Sequence, residues 1–380
     1  HLVNKKFFLI KKDLYFGDLQ KDLNKKKIKN LFVLINHTEF SSNKIKKKKN
    51  KTSKIILTKN LLLAREIILL IKIITKFIYC RFLNIFEKNK LEKKIASKTF
   101  IFKNIFQALQ NLILYEKVQK IIKISKPKYV ITTFEGYAFE RLIFKSCSEI
   151  NKQIIKFGYQ FSFIRKNQKS IMNKIGNGYD PDIILSTGSQ KTNIFKKNSN
   201  WKKIINVGSP KYNIIKNKIK KLNKYILVTP EAFEMECLKL FKFSNSIAKN
   251  LKNYKFIWRL HPLMDNKILK EIIKNNVIEQ NIIISKSSLQ SDIKKSSYVL
   301  YRGSATAIEC AINGLIPIYY KNNEKFTIDP LYEVNKNNEV NNLSDIKYLL
   351  KNLKKNKKII NYSKMYYEKQ NWNKIFTIKK

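Results

Sequence analysis

The chain has 380 residues, more than one hydrophobic core usually organises, so two domains are expected. Apolar residues make up 44% and aromatic residues 12%, against 9 Gly and 7 Pro, a balance that excludes disordered and collagen-like chains. The 78 Lys and Arg outnumber the 27 Asp and Glu for a formal charge of +51, a field that attracts phosphate polymers or an anionic membrane leaflet.

In chain order, the first strand candidate is Leu31–Ile35. The longest apolar segment, Leu61 to Phe86, is interrupted by Arg65, Glu66, Lys72, Lys76 and Arg81, so it lacks the ~18 consecutive apolar residues of a spanning helix. It reads as a basic amphipathic helix, either lying on a membrane surface or packed in a core with its charged stems at the edge. Strands are then expected at Tyr129–Thr133, Ile154–Phe157, Ile183–Ser186 and Ile204–Val207, with helices near 103–124, 136–151 and 189–197. A second set follows: strands at Tyr225–Thr229, Phe256–Leu260, Ile282–Ser285, Tyr298–Tyr301 and Pro317–Tyr320, and helices near 231–251, 266–275, 288–296 and 304–313. Short strands alternating with helices predict two doubly wound α/β domains with parallel sheets. Gly208-Ser209-Pro210 and the polar run to Lys224 serve as the linker, dividing the chain into residues 1–209 and 210–380, with the last helices packing back on the first domain.

The lysine excess accompanies an excess of Ile and Asn, as AT-rich codons would supply, and so carries less meaning than the six arginines at 65, 81, 141, 165, 259 and 302. A planar bidentate cation is kept where Lys would not serve. The cysteines at 80, 147, 237 and 310 form no CxxC pair, and the chain holds three His, which argues against a zinc site or a disulfide framework and fits a reducing cytoplasm. The start at His1 points to a fragment or a processed end, and the apolar run Phe7–Ile10 is too short for a signal peptide.

In doubly wound folds ligands sit beyond the carboxyl ends of the strands. The segment Tyr298 to Glu309 is an apolar strand running through Arg302-Gly303-Ser304 into a helix. Ser304, Thr306 and the helix N-terminus can cradle phosphate, Arg302 can add a charge-assisted contact, and Glu309 can reach ribose hydroxyls. The alternative is Ser304 as an ordinary N-cap. Arg259-Leu260-His261-Pro262 puts His261 at a strand end, where it can donate to a phosphate or leaving-group oxygen. Thr229-Pro230-Glu231 brings a carboxylate to the same rim. In the first half, Glu135 follows a strand and is placed to take a proton from a hydroxyl, Gly136 lets a ligand approach, and Glu140 lies one turn into the helix. Gly158-Tyr159-Gln160-Phe161-Ser162 offers aromatic and amide groups at another strand end, whereas Asp180-Pro181-Asp182 precedes its strand and reads as a turn.

Together these segments resemble the GT-B glycosyltransferases, and among them the bacterial surface-polysaccharide group related to sialyl- and Kdo-type transferases that use CMP-sugars. The resemblance covers roughly residues 128 to 320. It implies two Rossmann-like domains facing a cleft, the first (1–209) on the acceptor side and the second (210–380) binding the nucleotide-sugar. Glu135 is then the base acting on the acceptor, with Gly136, Glu140, Tyr159 and Gln160 beside it, and His261 binds the nucleotide phosphate and assists its departure. Arg259, Pro262, Arg302, Gly303, Ser304, Thr306, Glu309 and Glu231 line the donor site, with Ser304 and Thr306 on phosphate and Glu309 on ribose. Phe161 stands where the family has His, which puts the function of that His in doubt. The donor is the nucleotide-sugar, with no cofactor and no metal, the acceptor is a capsule- or lipopolysaccharide-type glycan, and the place of work is the cytoplasm or the inner face of the plasma membrane. A CDP-glycerol-type polyol-phosphate transferase is the neighbouring alternative, and a UDP-sugar donor another. Nucleic-acid binding would account for the charge, but zinc-finger spacings, RNP-type aromatics and a Gly-x-Gly-x-x-Gly fingerprint are missing, and the lysine runs 25–27 and 46–49 read as loops.

Overall fold

Parallel strands covered on both faces appear in sequence as short unbroken apolar runs, and such runs build three sheets here. The computed structural model describes residues 2–3, 13, 15–36, 54–57, 63–214, 222–261, 264, 269, 271–272, 274, 277–352, 356–376 and 378. The lysine run 46–49, Pro262 and much of the helix expected near 266–275 lie outside the described residues.

In the first half, β1 (Leu2–Val3), β2 (Phe32–Asn36) and β3 (Lys54–Leu57) pair in parallel in that order. β4 (Tyr129–Thr133), β5 (Ile155–Tyr159), β6 (Ile183–Ser186) and β7 (Ile204–Asn206) make a second parallel sheet in sequence order. Both sheets share a helical layer: Leu114, Val118 and Ile122 of the helix Phe102–Ser125 and Cys147 of the helix Ala138–Ile150 pack with Val33, Ile35, Leu57 and Val130. The helix Leu19–Lys25 takes in Lys25, so the run 25–27 is in part helical where a loop was expected.

The expected amphipathic helix is Leu63–Ile85. Its Leu69 and Ile73 pack on Ile105, Leu109 and Ile113, and a short helix, Lys90–Thr99, follows with no buried residue. Among the described residues no helix is long and apolar enough to cross a membrane.

In the second half, β8 (Tyr225–Thr229), β9 (Lys255–Trp258), β10 (Ile282–Ile284), β11 (Tyr298–Tyr301), β12 (Ile316–Tyr320) and β13 (Glu339–Val340) form one parallel sheet. Its spatial order is β10-β9-β8-β11-β12-β13. Counted from β8 this is 3-2-1-4-5-6, the order of a dinucleotide-binding domain, and it reverses direction between β8 and β11. Every residue of β11 is buried, since helices cover both faces.

The chain then returns to the first half. After the helix Lys357–Tyr366, Trp372 enters the cluster formed by Phe16, Phe157 and Tyr159, and its indole N–H donates to the Phe16 carbonyl at 3.0 Å. Residues 368–371 run beside 207–209: Ser209 N–H donates to Glu368 O at 2.9 Å and Asn371 N–H to Val207 O at 2.8 Å.

Candidate functional site

The reversal between β8 and β11 opens a crevice at their carboxyl ends, walled by Thr229–Glu231 on one side and Arg302–Ser304 on the other. Gly303 has φ +64°, and a Cβ there would run into the Glu231 carboxylate. Glycine therefore lets the two loops touch. Glu231 also pairs with Arg165 from the first half, and burial pushes its carboxyl up despite that cation.

Arg302 does not face this crevice. It is completely buried, pairs with Glu236 and with Glu324 at 2.5 Å, and donates to the carbonyls of Tyr320 at 3.0 Å and Lys321 at 2.9 Å. Its guanidinium fastens the loop to β12, and that corrects the expectation of a phosphate contact. Arg259 is likewise engaged, with Asp292 at 2.8 Å and Ser287 O at 2.8 Å, although its charge still acts on Glu309. His261 is half-buried at the end of the same segment. Ser304 is buried, and its carbonyl accepts from Ala307 N–H at 3.1 Å. The short helix Thr306–Ile312 begins without a side-chain cap, so Ser304 is not its N-cap. Thr306 and Glu309 remain half-buried, and burial pushes the Glu309 carboxyl up against the pull of Lys211 and Arg259.

The facing wall is the turn after β4. Glu140 is buried, and its carboxylate accepts from the N–H groups of Glu135 at 2.8 Å and Tyr137 at 3.0 Å. This closes a capping box, and burial pushes the carboxyl up to about 7. Glu140 therefore holds the turn and is turned away from an acceptor. Gly136 has φ +83°, and a Cβ there would lie 2.7 Å from the Ser170 side chain. Its missing side chain makes room for Ser170, not for a ligand as expected. Glu135 itself is half-buried, and its charge acts on Tyr15, Tyr137, Lys191 and Tyr367.

Tyr159 and Gln160 are completely buried, which removes both from the acceptor surface. The Tyr159 hydroxyl donates to Gly208 O at 3.0 Å, and its ring sits in the Phe16 and Trp372 core. Gln160 Oε1 accepts from Lys191 Nζ at 2.7 Å. Phe161 meets Tyr15 edge to face with ring centroids 4.8 Å apart. Asp180 and Asp182 bind Arg141 and Lys156 and so act as a turn. No group of three or more His, Cys, Asp or Glu among the described residues is placed to hold a metal ion.

Lys191, Lys211, Tyr15 and Tyr367 are the polar groups that the charges of Glu135 and Glu309 link to the two walls. Lys191 lies fully buried, its Nζ donating to Gln160 O at 3.1 Å and to Ser162 O besides Gln160 Oε1. Burial holds this amine well below its ordinary range. Lys211 Nζ stands 5.5 Å from the Tyr367 ring centroid, and its charge acts on Tyr15, Lys191 and Glu309. Burial raises the Tyr367 phenol, and the charges of Glu309 and Glu135 add to that. In a chain with so many lysines neither Lys191 nor Lys211 stands out by type. Position was the usable signal, one following the end of β6 and the other following Pro210.

No protein-family description and no curated protein matches the sequence. Solved structures do resemble it. CalG4, the calicheamicin glycosyltransferase, aligns with TM-score 0.54 at 8% identity over 92% of this chain and 88% of its own. The glycosyltransferase of kitacinnamycin gives 0.54 at 8% over 92% and 89%. A protein assigned as a UDP-N-acetylglucosamine 2-epimerase from Listeria monocytogenes gives 0.51 at 12% over 91% and 86%. The fold is GT-B-like. In this GT-B-like chain two Rossmann-like domains face a cleft.

Proposed function

We propose that the protein is a glycosyltransferase that moves a sugar from a nucleotide donor, of the CMP-sugar class, to a surface-polysaccharide or lipid-linked glycan acceptor. The observation that supports this reading is the reversal between β8 and β11 in a parallel sheet of order 3-2-1-4-5-6, where the Glu231 and Gly303 loops meet at the strand ends and Glu231 pairs with Arg165 of the first half. Glu309 takes the ribose hydroxyls, and Ser304 and Thr306 approach the phosphate from the β11 loop. Glu135 accepts the proton of the acceptor hydroxyl while its oxygen bonds to the anomeric carbon. The bond from that carbon to the phosphate oxygen breaks, and its electron pair leaves with CMP. With Arg302 tied to Glu236 and Glu324, the departing phosphate is met by a ring N–H of His261 and the ammonium of Lys211. Nucleotide-sugars are cytoplasmic compounds, so the reaction belongs on that side of the membrane.

A UDP-sugar is the second donor to consider, because the Listeria protein, whose assigned activity concerns UDP-N-acetylglucosamine, shares the fold. Thermal-shift titration with CMP, UDP and GDP tests the assignment. CMP raises the melting temperature above the other two, and His261→Ala removes most of that rise. A larger shift with UDP moves the donor to the UDP class. Equal shifts, or none, overturn the site.

A further inference from the structure

Nearly half of the large hydrophobic side chains exposed among the described residues fall between Ile67 and Phe106. They are not scattered. On the helix Leu63–Ile85, Ile67, Ile71, Ile78, Phe82 and Ile85 recur at helical spacing and form a stripe opposite the face that packs through Leu69 and Ile73. The same periodicity puts Lys72 and Lys76 along one margin of the apolar surface and Arg81 along the other. The surface continues past the helix end, where Leu91 and Ile95 of the helix Lys90–Thr99 and then Phe102 and Phe106 stand out, Phe102 at 77% exposure. Between residues 72 and 103 nine Lys and Arg meet only Glu87 and Glu92.

Contiguous apolar patches above a few hundred Å² on a protein surface mark interaction sites. The charge decides the occupant. A second copy would bring this cationic margin against its own like, whereas an anionic bilayer matches both halves of the pattern, with acyl chains under the stripe and lipid headgroups at the lysines. We propose that the helices spanning residues 63–106 are an in-plane membrane anchor that docks the protein on an anionic lipid surface. This goes beyond the catalytic reading and does not depend on it.

The test is co-sedimentation of the full chain with phosphatidylcholine vesicles, with and without about a third phosphatidylglycerol, at low and raised salt. Binding is expected to the anionic vesicles and to weaken with salt. A basic residue near such a surface contributes about fivefold in partitioning, so the combined Lys72→Ala, Lys76→Ala, Arg81→Ala variant should bind about a hundredfold more weakly with an unchanged melting temperature. The three native tryptophans, Trp201, Trp258 and Trp372, are buried, so Phe82→Trp supplies a separate signal that brominated acyl chains should quench on binding. Equal binding to neutral and anionic vesicles, or binding to neither, overturns the proposal. So does an unquenched Trp at position 82 together with a lipid-free dimer in sedimentation velocity.

Discussion

Glu135 and Glu140 lie five residues apart, and the fold gives them opposite tasks. Glu140 binds two backbone N–H groups with its carboxylate, whereas Glu135 gives one of those N–H groups and keeps its side chain half-buried. Glu135→Gln should lower transfer by about 10²- to 10⁴-fold while the melting shift induced by CMP stays within error. Retained turnover in that variant would place the base elsewhere. Glu140 leads to a stability prediction. Its folded pKa, about 7, exceeds the ordinary value of 4.5, so between those pH values the folded state holds the proton more firmly than the unfolded state. The stability this provides is complete below about 4.5 and disappears as pH rises through 7, by about 3 kcal/mol at most. Glu140→Gln keeps an acceptor for both N–H groups without the charge. Its stability relative to the parent, read from urea midpoints, should therefore improve steadily from pH 5 to pH 8.

The elements legible in the sequence were those whose burial is two-sided. β6, β8 and β11 lie where their apolar runs placed them, because a strand covered on both faces cannot tolerate a polar residue in mid-run, and β4 matches as well although Tyr129 to Ile131 are half-buried. β3 was missed because Lys54–Leu57 is short and follows a lysine-rich stretch, and the helix Lys90–Thr99 because it buries nothing and only Leu91 and Ile95 mark an apolar face among its polar residues. Site residues were legible only to the level of the strand end. Arg302 stood out in the sequence as one of six arginines, but its partners Glu236 and Glu324 come from distant elements that no local pattern reveals. Likewise, Tyr159 and Gln160 sit at a strand end and still point inward. The return of the C-terminal segment ties it to the first half through the Trp372 core and the bonds at Ser209 and Asn371. Trp372→Ala removes a fully buried ring and one of the two N–H groups that donate to the Phe16 carbonyl, so about 3–5 kcal/mol should be lost, seen as a large drop in the denaturant midpoint.

At the scale of the whole molecule, the polypeptide passes between its two halves at Ser209 and again near Lys369, and the two passages are bridged to each other. Gly208 makes this possible: its φ is +75°, and a Cβ would strike the Lys369 carbonyl. Gly208→Val should therefore cost about 1–3 kcal/mol through backbone strain, and the loss should appear as a lower melting temperature in the absence of any nucleotide. Two crossings that share one place also limit how the molecule can move. Segments laid side by side form a pin, and bodies joined by a pin swing about it; they do not slide past each other. With Tyr362 and Tyr366 packed in one core with residues of both halves and Arg165 paired with Glu231, the pin is one of three ties, and any swing of the halves has to part the other two.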